Sequence, residues 1–209
     1  AAAAAAGADS RPTVESAFEL IERAREDLAR DVSQANSAEF ARLSHLLDEA
    51  RETAESVSRA MAHLEDPDKA MSLVAMLRRL ALRVPGAEDH ATSIANMLRW
   101  LKNASTLVDE VNASSTMATD KIKSTRLHQL FNNMPNGCTG MEDHPLAADA
   151  QNIATNVQRM HSNHCASEER MRAALSSASP SSVEDLEDLH AAIAASPFTC
   201  NVENETQLK

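Results

Sequence analysis

The sequence predicts an all-α fold: an elongated antiparallel helical bundle with long coiled-coil-like helices and a small cap of loop and short helix. Three observations carry this. Only 2% of the 209 residues are aromatic, with one Trp, four Phe and no Tyr, although 43% are hydrophobic. The apolar fraction is made of small side chains, 38 of them Ala, and lacks the rings that give a compact core most of its burial per residue. Glycine occurs only four times, which leaves few sites for tight hairpin turns. Apolar residues recur in steps of three and four over long stretches, the pattern of a helical seam.

Residues 1–12 begin with six alanines and Gly7 and read as a tail or a cloning scar. A first helix is expected over 13–65, capped by Thr13, with Glu15 and Glu19 in its first turns. Its seam is Val14, Phe18, Ile21, Leu28, Val32 and Ala35, with Arg25 in one slot. After a skip the seam resumes at Phe40, Leu43, Leu47, Ala50, Ala54, Val57, Met61 and Leu64. Such a helix would be about 80 Å long at 1.5 Å per residue.

Asp66-Pro67-Asp68 is a stop-and-restart signal, since Asp66 suits a cap and Pro67 the first helical position. A kinked continuation through Pro67 is the alternative. A short helix over 67–84 follows, with Met71, Val74, Leu77, Leu80, Ala81 and Val84, and Pro85-Gly86 is read as its end. The third helix, 88–131, has the seam Ile94, Met97, Leu101, Ala104, Val108, Val111, Ser115, Ala118 and Ile122, with Trp100 and Phe131 as anchors. Residues 132–145 hold Asn, Gly and Pro in the density of a loop.

The fourth helix, 146–177, carries Leu146, Ala150, Ile153, Val157, Met160, His164, Met171 and Ala174 on its seam, which continues to Ala178. Ser179-Pro180 breaks it, Ser181 and Glu184 form a capping box, and a short fifth helix spans 182–195. The helices are expected to form a single domain over 13–200, followed by a flexible tail, 201–209, that leads toward a membrane anchor.

The net charge of −11 argues against nucleic acid or an anionic membrane surface as partner. No run of 18 apolar residues is present, so no segment reads as a membrane span. No signal peptide is evident, and a cleaved leader or anchor signal lying outside this chain is compatible with that.

Three cysteines are an odd number for a disulfide framework. If the fifth helix folds back along the fourth, Cys165 and Cys200 reach a similar height, and a bond between them would close the C-terminal hairpin. A Cys138–Cys165 bond and three unpaired thiols are the alternatives. Asn103, Asn112 and Asn204 begin glycosylation sequons, in a number close to chance for this composition. Asn103 is expected to face solvent and Asn112 to flank the seam, while Asn204 lies in the tail.

His161, His164 and Cys165 invite a zinc reading, because imidazole and thiolate suit that ion. His164 falls on the seam, however, so it is read as a core histidine hydrogen-bonded across the bundle, and no metal is expected. Asp48-Glu49 and Glu168-Glu169 read as solvated helix faces. Phosphate-binding glycine loops, nucleophile elbows and paired Glu-x-x-His motifs are missing, so neither an enzyme nor a cofactor is expected. Met71, Met97, Met160 and Met171 fall on seams and are read as core filling rather than as an adaptable binding surface.

An acidic, Ala-rich, Tyr-free chain with one very long first helix, a hairpin near 66–86, a loop around Cys138 and Cys-bearing C-terminal helices resembles the glutamic acid/alanine-rich surface coat proteins of African trypanosomes, as found in insect-stage Trypanosoma congolense. The resemblance covers residues 13–200 in composition and element order. It implies an extended helical scaffold related to that of the variant surface glycoproteins, and a C-terminal glycosylphosphatidylinositol (GPI) anchor on the outer leaflet. It also implies a dense glycoprotein coat whose partners are neighbouring copies or a homodimer. This chain ends in Asn204 to Lys209 without an anchor-signal tail. The rival expectation is an elongated surface receptor that captures a host or vector protein ligand. The apolar segment Met71–Val84 is its candidate docking surface. A cytosolic coiled-coil adaptor is a third reading, favoured if every cysteine is free.

Overall fold

A computed structural model describes residues 10–30, 35–114, 122–135, 144–176, 187–188, 190–191 and 196–199. The fold is all-α, with helices α1 (Val14–Arg30), α2 (Ala35–Met61), α3 (Pro67–Arg78), α4 (Pro85–Ser114), α5 (Ser124–Asn132) and α6 (Ala147–Ser176). Among the described residues the extended pairings are two isolated bridges, Thr13 with Arg83 and Ile122 with Phe198. The chain divides into two compact units, 1–98 and 99–209, where one extended domain was expected. Helix α4 contributes its residues up to Leu98 to the first and those from Arg99 to the second.

In the first unit α1 and α2 are separate helices rather than one continuous rod. Val14, Ala17 and Ile21 are buried in one cluster with Leu47, Ala50 and Leu82, against Phe40 and Leu43. The Arg25 guanidinium lies over the Phe40 ring at 5.8 Å, and Arg51 lies over Phe18 at 5.5 Å. Later residues of α1 therefore meet earlier residues of α2, so the two helices run antiparallel. The seam skip between Ala35 and Phe40 falls at the start of α2, where the heptad phase resets. The α2 seam itself is as expected, with Leu47, Ala50, Ala54, Val57 and Met61 all buried. On α1 Ala17 takes the buried place expected for Phe18, which is 43% exposed; packing of its ring on Arg51 at the edge of the hairpin accounts for that position.

Helix starts follow their local chemistry. Thr13 Oγ1 accepts from Ser16 N at 3.1 Å, the expected cap. Asp66 Oδ1 accepts from Asp68 N at 2.9 Å, with Pro67 at the first helical position, so the chain stops and restarts there instead of kinking. Pro85 opens α4 rather than closing α3, which ends at Arg78. Proline lacks the N–H that a first helical turn leaves unpaired anyway.

Arg11 joins these ends. Its Nη1 donates to the Leu77 and Leu80 carbonyl oxygens, at 3.2 and 3.1 Å, at the C-terminus of α3. Its Nη2 donates to both carboxylate oxygens of Glu88, at 2.9 and 3.2 Å, in the first turn of α4. A cation thus sits at a negative helix end and an anion at a positive one. Arg83 N donates to Pro12 O at 2.8 Å and Val14 N to Arg83 O at 2.9 Å, pinning the segment before α1 beside the one before α4.

The second unit contains the C-terminal part of α4, then α5 and α6. The expected helix over 88–131 is two helices, α4 and α5. Trp100 and Phe131 do serve as anchors. Trp100 Nε1 donates to the Leu130 carbonyl at 2.9 Å, which gives a partner to one of the carbonyls a helix C-terminus leaves free. Arg126 Nη1 of α5 donates to both carboxylate oxygens of Glu110 of α4, at 2.8 and 2.6 Å. Segment 196–199 crosses the start of α5: Ile122 N donates to Pro197 O and Thr199 N to Ile122 O, both at 2.9 Å. The expected helix 146–177 matches α6, preceded by His144, whose Nδ1 accepts from Leu146 N at 3.2 Å. The expected fifth helix and the tail lie almost wholly outside the described residues.

Candidate metal centre

Helices α5 and α6 pack together, and one stretch of their contact carries donor side chains. Buried Leu127 and Leu130 seat α5 in the second unit, which leaves His128 and Phe131 half-buried beside them. Helix α6 presents His161, His164, Cys165 and Glu168, spaced three and four residues apart and so on one face.

His128 Nδ1 lies 3.0 Å from His161 Nε2. Cys165 Sγ lies 3.7 Å from His161 Nε2 and 3.8 Å from its Nδ1. The His161 ring stacks on Phe131, with centroids 3.8 Å apart and planes within 4°, which fixes its orientation. His128, His161 and Cys165 offer ligand atoms within 4.8 Å of one another, and so do His128, His164 and Glu168.

His164 is the most deeply buried member, with 3% of its surface exposed. Its expected place on the seam is correct. The expected hydrogen bond across the bundle is not formed, since neither ring nitrogen has a hydrogen-bond partner. Glu168 Oε1 stands 3.3 Å from His164 Nε2, close enough to act through charge but outside hydrogen-bond geometry. The rings of His128 and Phe198 each lie 5.6 Å from that of His164.

The electrostatics follow from burial. Desolvation lowers the pKa of His161 below the ordinary imidazole value, His128 and His164 push it the same way, and Glu168 opposes them. Burial also lowers His164, against the raising effect of Glu168. Cys165 is raised by burial and then by the charges of Glu168 and Glu169. At neutral pH His161 and His164 are neutral imidazoles with lone pairs available, and Cys165 is a protonated thiol.

Of the sequence-predicted site residues, Asn103 and Asn112 are both exposed on α4. Cys165 is a free, half-buried thiol. Its expected partner Cys200, and likewise Cys138 and Asn204, lie outside the described residues. The sequence reading missed His128. Its one local signal is a histidine between buried Leu127 and Leu130, and only the packing of α5 on α6 brings it to His161.

Comparison of the chain with protein-family models, with curated proteins and with solved structures returns no match. The class defined by fold and site is therefore an all-α protein with a histidine–cysteine cluster between two helices.

Proposed function

We propose that the chain is a structural surface glycoprotein of a protective parasite coat, without catalysis. It is held on the extracellular face of the plasma membrane by a GPI anchor attached beyond these residues, among neighbouring copies of itself. The observation that supports this most is the character of the surface. The exposed large apolar side chains among the described residues are Phe18, Leu20 and Met76. In the segment that a receptor would use for docking, Val74, Leu77 and Leu82 are buried and, among its described residues, Met76 is the one large apolar side chain exposed. A dense coat needs a polar, acidic exterior that resists adhesion, whereas a capture receptor needs a contiguous apolar patch. Exposed Asn103 and Asn112 suit glycan attachment on α4, and no described helix is long and apolar enough to cross a membrane.

The test is surface labelling of intact parasite cells with antibody to this chain, followed by a phosphatidylinositol-specific phospholipase. Labelling without permeabilisation and enzymatic release are expected. Staining that requires permeabilisation would overturn the proposal. Saturable, high-affinity capture of one serum or gut protein would replace it with the receptor reading.

A further inference from the structure

We propose that His128, His161 and Cys165 form a binding site for a zinc-class divalent transition metal, with His128 Nδ1, His161 Nε2 and Cys165 Sγ as ligands. The spacing fits before any ion is present. Tetrahedral zinc, with Zn–N of about 2.0–2.1 Å and Zn–S of about 2.3 Å, separates two nitrogens by about 3.3 Å and a nitrogen from a sulfur by about 3.6 Å. The observed separations are 3.0 Å for His128 Nδ1 to His161 Nε2 and 3.7 Å for His161 Nε2 to Cys165 Sγ. These two pairs need to move by no more than a few tenths of an ångström, and the third, His128 to Cys165, lies within 4.8 Å and closes on the ion by side-chain rotation. The ligands come from two helices, with His161 and Cys165 one turn apart on α6 and His128 on α5, so an ion here would also tie α5 to α6.

A second observation is independent of those distances. Beside the three ligands sits His164, almost fully buried and without a hydrogen-bond partner on either nitrogen. Its nearest acid among the described residues is Glu168, 3.3 Å from Nε2, and with His128 these two form a second set of ligand atoms lying within 4.8 Å of one another, so donors are concentrated here on both sides of His128. Glu168, one turn beyond His164, supplies negative charge that favours a cation. His128, His161 and Cys165 are each half-buried, so the ion has a path from solvent and water can take a fourth position.

Soft thiolate with imidazole selects zinc-like ions over magnesium or calcium, which prefer oxygen. Binding replaces the shared His128–His161 hydrogen with the metal, and whichever ring carries that proton moves it to its other nitrogen. The Cys165 thiol releases its proton to solvent as the S–metal bond forms. Burial, and after it the charges of Glu168 and Glu169, keep the thiol protonated in the metal-free protein, and those same negative charges attract the cation.

The test uses the full chain, reduced and stripped of metal with a chelator, then titrated with cobalt(II). Equimolar binding with tetrahedral ligand-field bands and a thiolate-to-cobalt charge-transfer band is expected, and zinc(II) should bleach both. Cys165→Ser should abolish the charge-transfer band, while Cys138→Ser and Cys200→Ser keep it. His128→Ala and His161→Ala should each weaken affinity at least about tenfold, with unchanged helical circular dichroism. Zinc should also slow alkylation of Cys165 in the unmodified protein, a readout that needs no variant. Absence of cobalt binding, or a charge-transfer band that survives Cys165→Ser, would overturn the proposal. A Cys165–Cys200 disulfide in protein taken from cells would overturn it as well, because the sulfur would be spent.

Discussion

Two buried polar residues, one in each unit, are partnered in opposite ways. In the first, Glu88 is 6% exposed yet fully engaged: both of its oxygens accept from Arg11, and Val84 N points at Oε1 from 3.4 Å. In the second, His164 is 3% exposed and has no hydrogen-bond partner at either nitrogen. A buried polar group with a complete set of partners is explained by the fold, because it closes helix ends that would otherwise stay unpaired. A buried imidazole whose only close acid among the described residues is Glu168, 3.3 Å away and outside hydrogen-bond geometry, is not accounted for in that way and calls for another explanation. The difference marks Glu88 as part of the scaffold and the surroundings of His164 as the place to look for a ligand.

The sharpest way to break this comparison is Glu88→Ala. It leaves the Arg11 guanidinium partly buried beside Arg83, whose Nε stands 3.8 Å from Glu88 Oε2 and itself lacks a hydrogen-bond partner. Stability of the full chain in denaturant should fall by about 3 kcal/mol, the low end for breaking a buried ion pair, because Arg11 keeps some solvent. A loss under about 1 kcal/mol would mean that the clamp is ornamental and that the apolar cluster alone holds the first unit.

How much of this was legible in the sequence depends on whether the cause was local. The α2 seam from Leu47 to Met61, the Thr13 and Asp66 caps and the span of α6 all follow from spacing and from single residues, and all appear in the structure. The fold-back of α1 on α2 was hidden, because a continuous helix and an antiparallel hairpin show the same three-and-four periodicity. Only the skip near Ala35 separates them. Pro85 was recognised as punctuation but given the wrong direction, since a proline breaks the preceding helix and starts the next equally well. Its role is settled by Arg11, far away in sequence, which closes the end of α3 at Leu77 and Leu80. His128 was invisible for a related reason. Metal-ligand spacing within one helix can be read from sequence, but convergence of two helices cannot.

The scarcity of large side chains makes a second, smaller prediction that treats the units alike. Ala70 in the first unit and Ala104 in the second are fully buried. Ala70→Leu and Ala104→Leu should each cost about 1–3 kcal/mol by overpacking, read as a lower thermal midpoint. Substitutions tolerated without loss in one unit only would show that the close helix approach is confined to the other. Smaller again is Trp100→Phe. It keeps most of the ring but leaves the buried Leu130 carbonyl without its donor, an expected cost of about 1–2 kcal/mol, measured in the same way. A neutral result would mean that another donor replaces the indole.

The least costly substitution is the most telling for the second unit. In metal-free protein His164→Leu removes a group that burial penalises and that has no hydrogen bond to lose, so stability at neutral pH should change by less than about 1 kcal/mol or rise. The pH dependence gives the sign. His161 and His164 have folded pKa values below their unfolded value of 6.5, so the unfolded chain binds more protons as the pH falls. Stability is complete above pH 6.5 and is lost as the pH drops through the folded values. The charged and titratable groups facing these rings are His128 from α5 and Cys165 and Glu168 from α6. Among them Glu168 opposes the loss and His128 deepens it. His164→Leu should therefore flatten the acid limb of a stability–pH curve while leaving the limb above pH 7 in place. A variant that loses several kcal/mol at pH 7.5 would show that His164 has a structural partner after all, and the contrast with Glu88 would disappear.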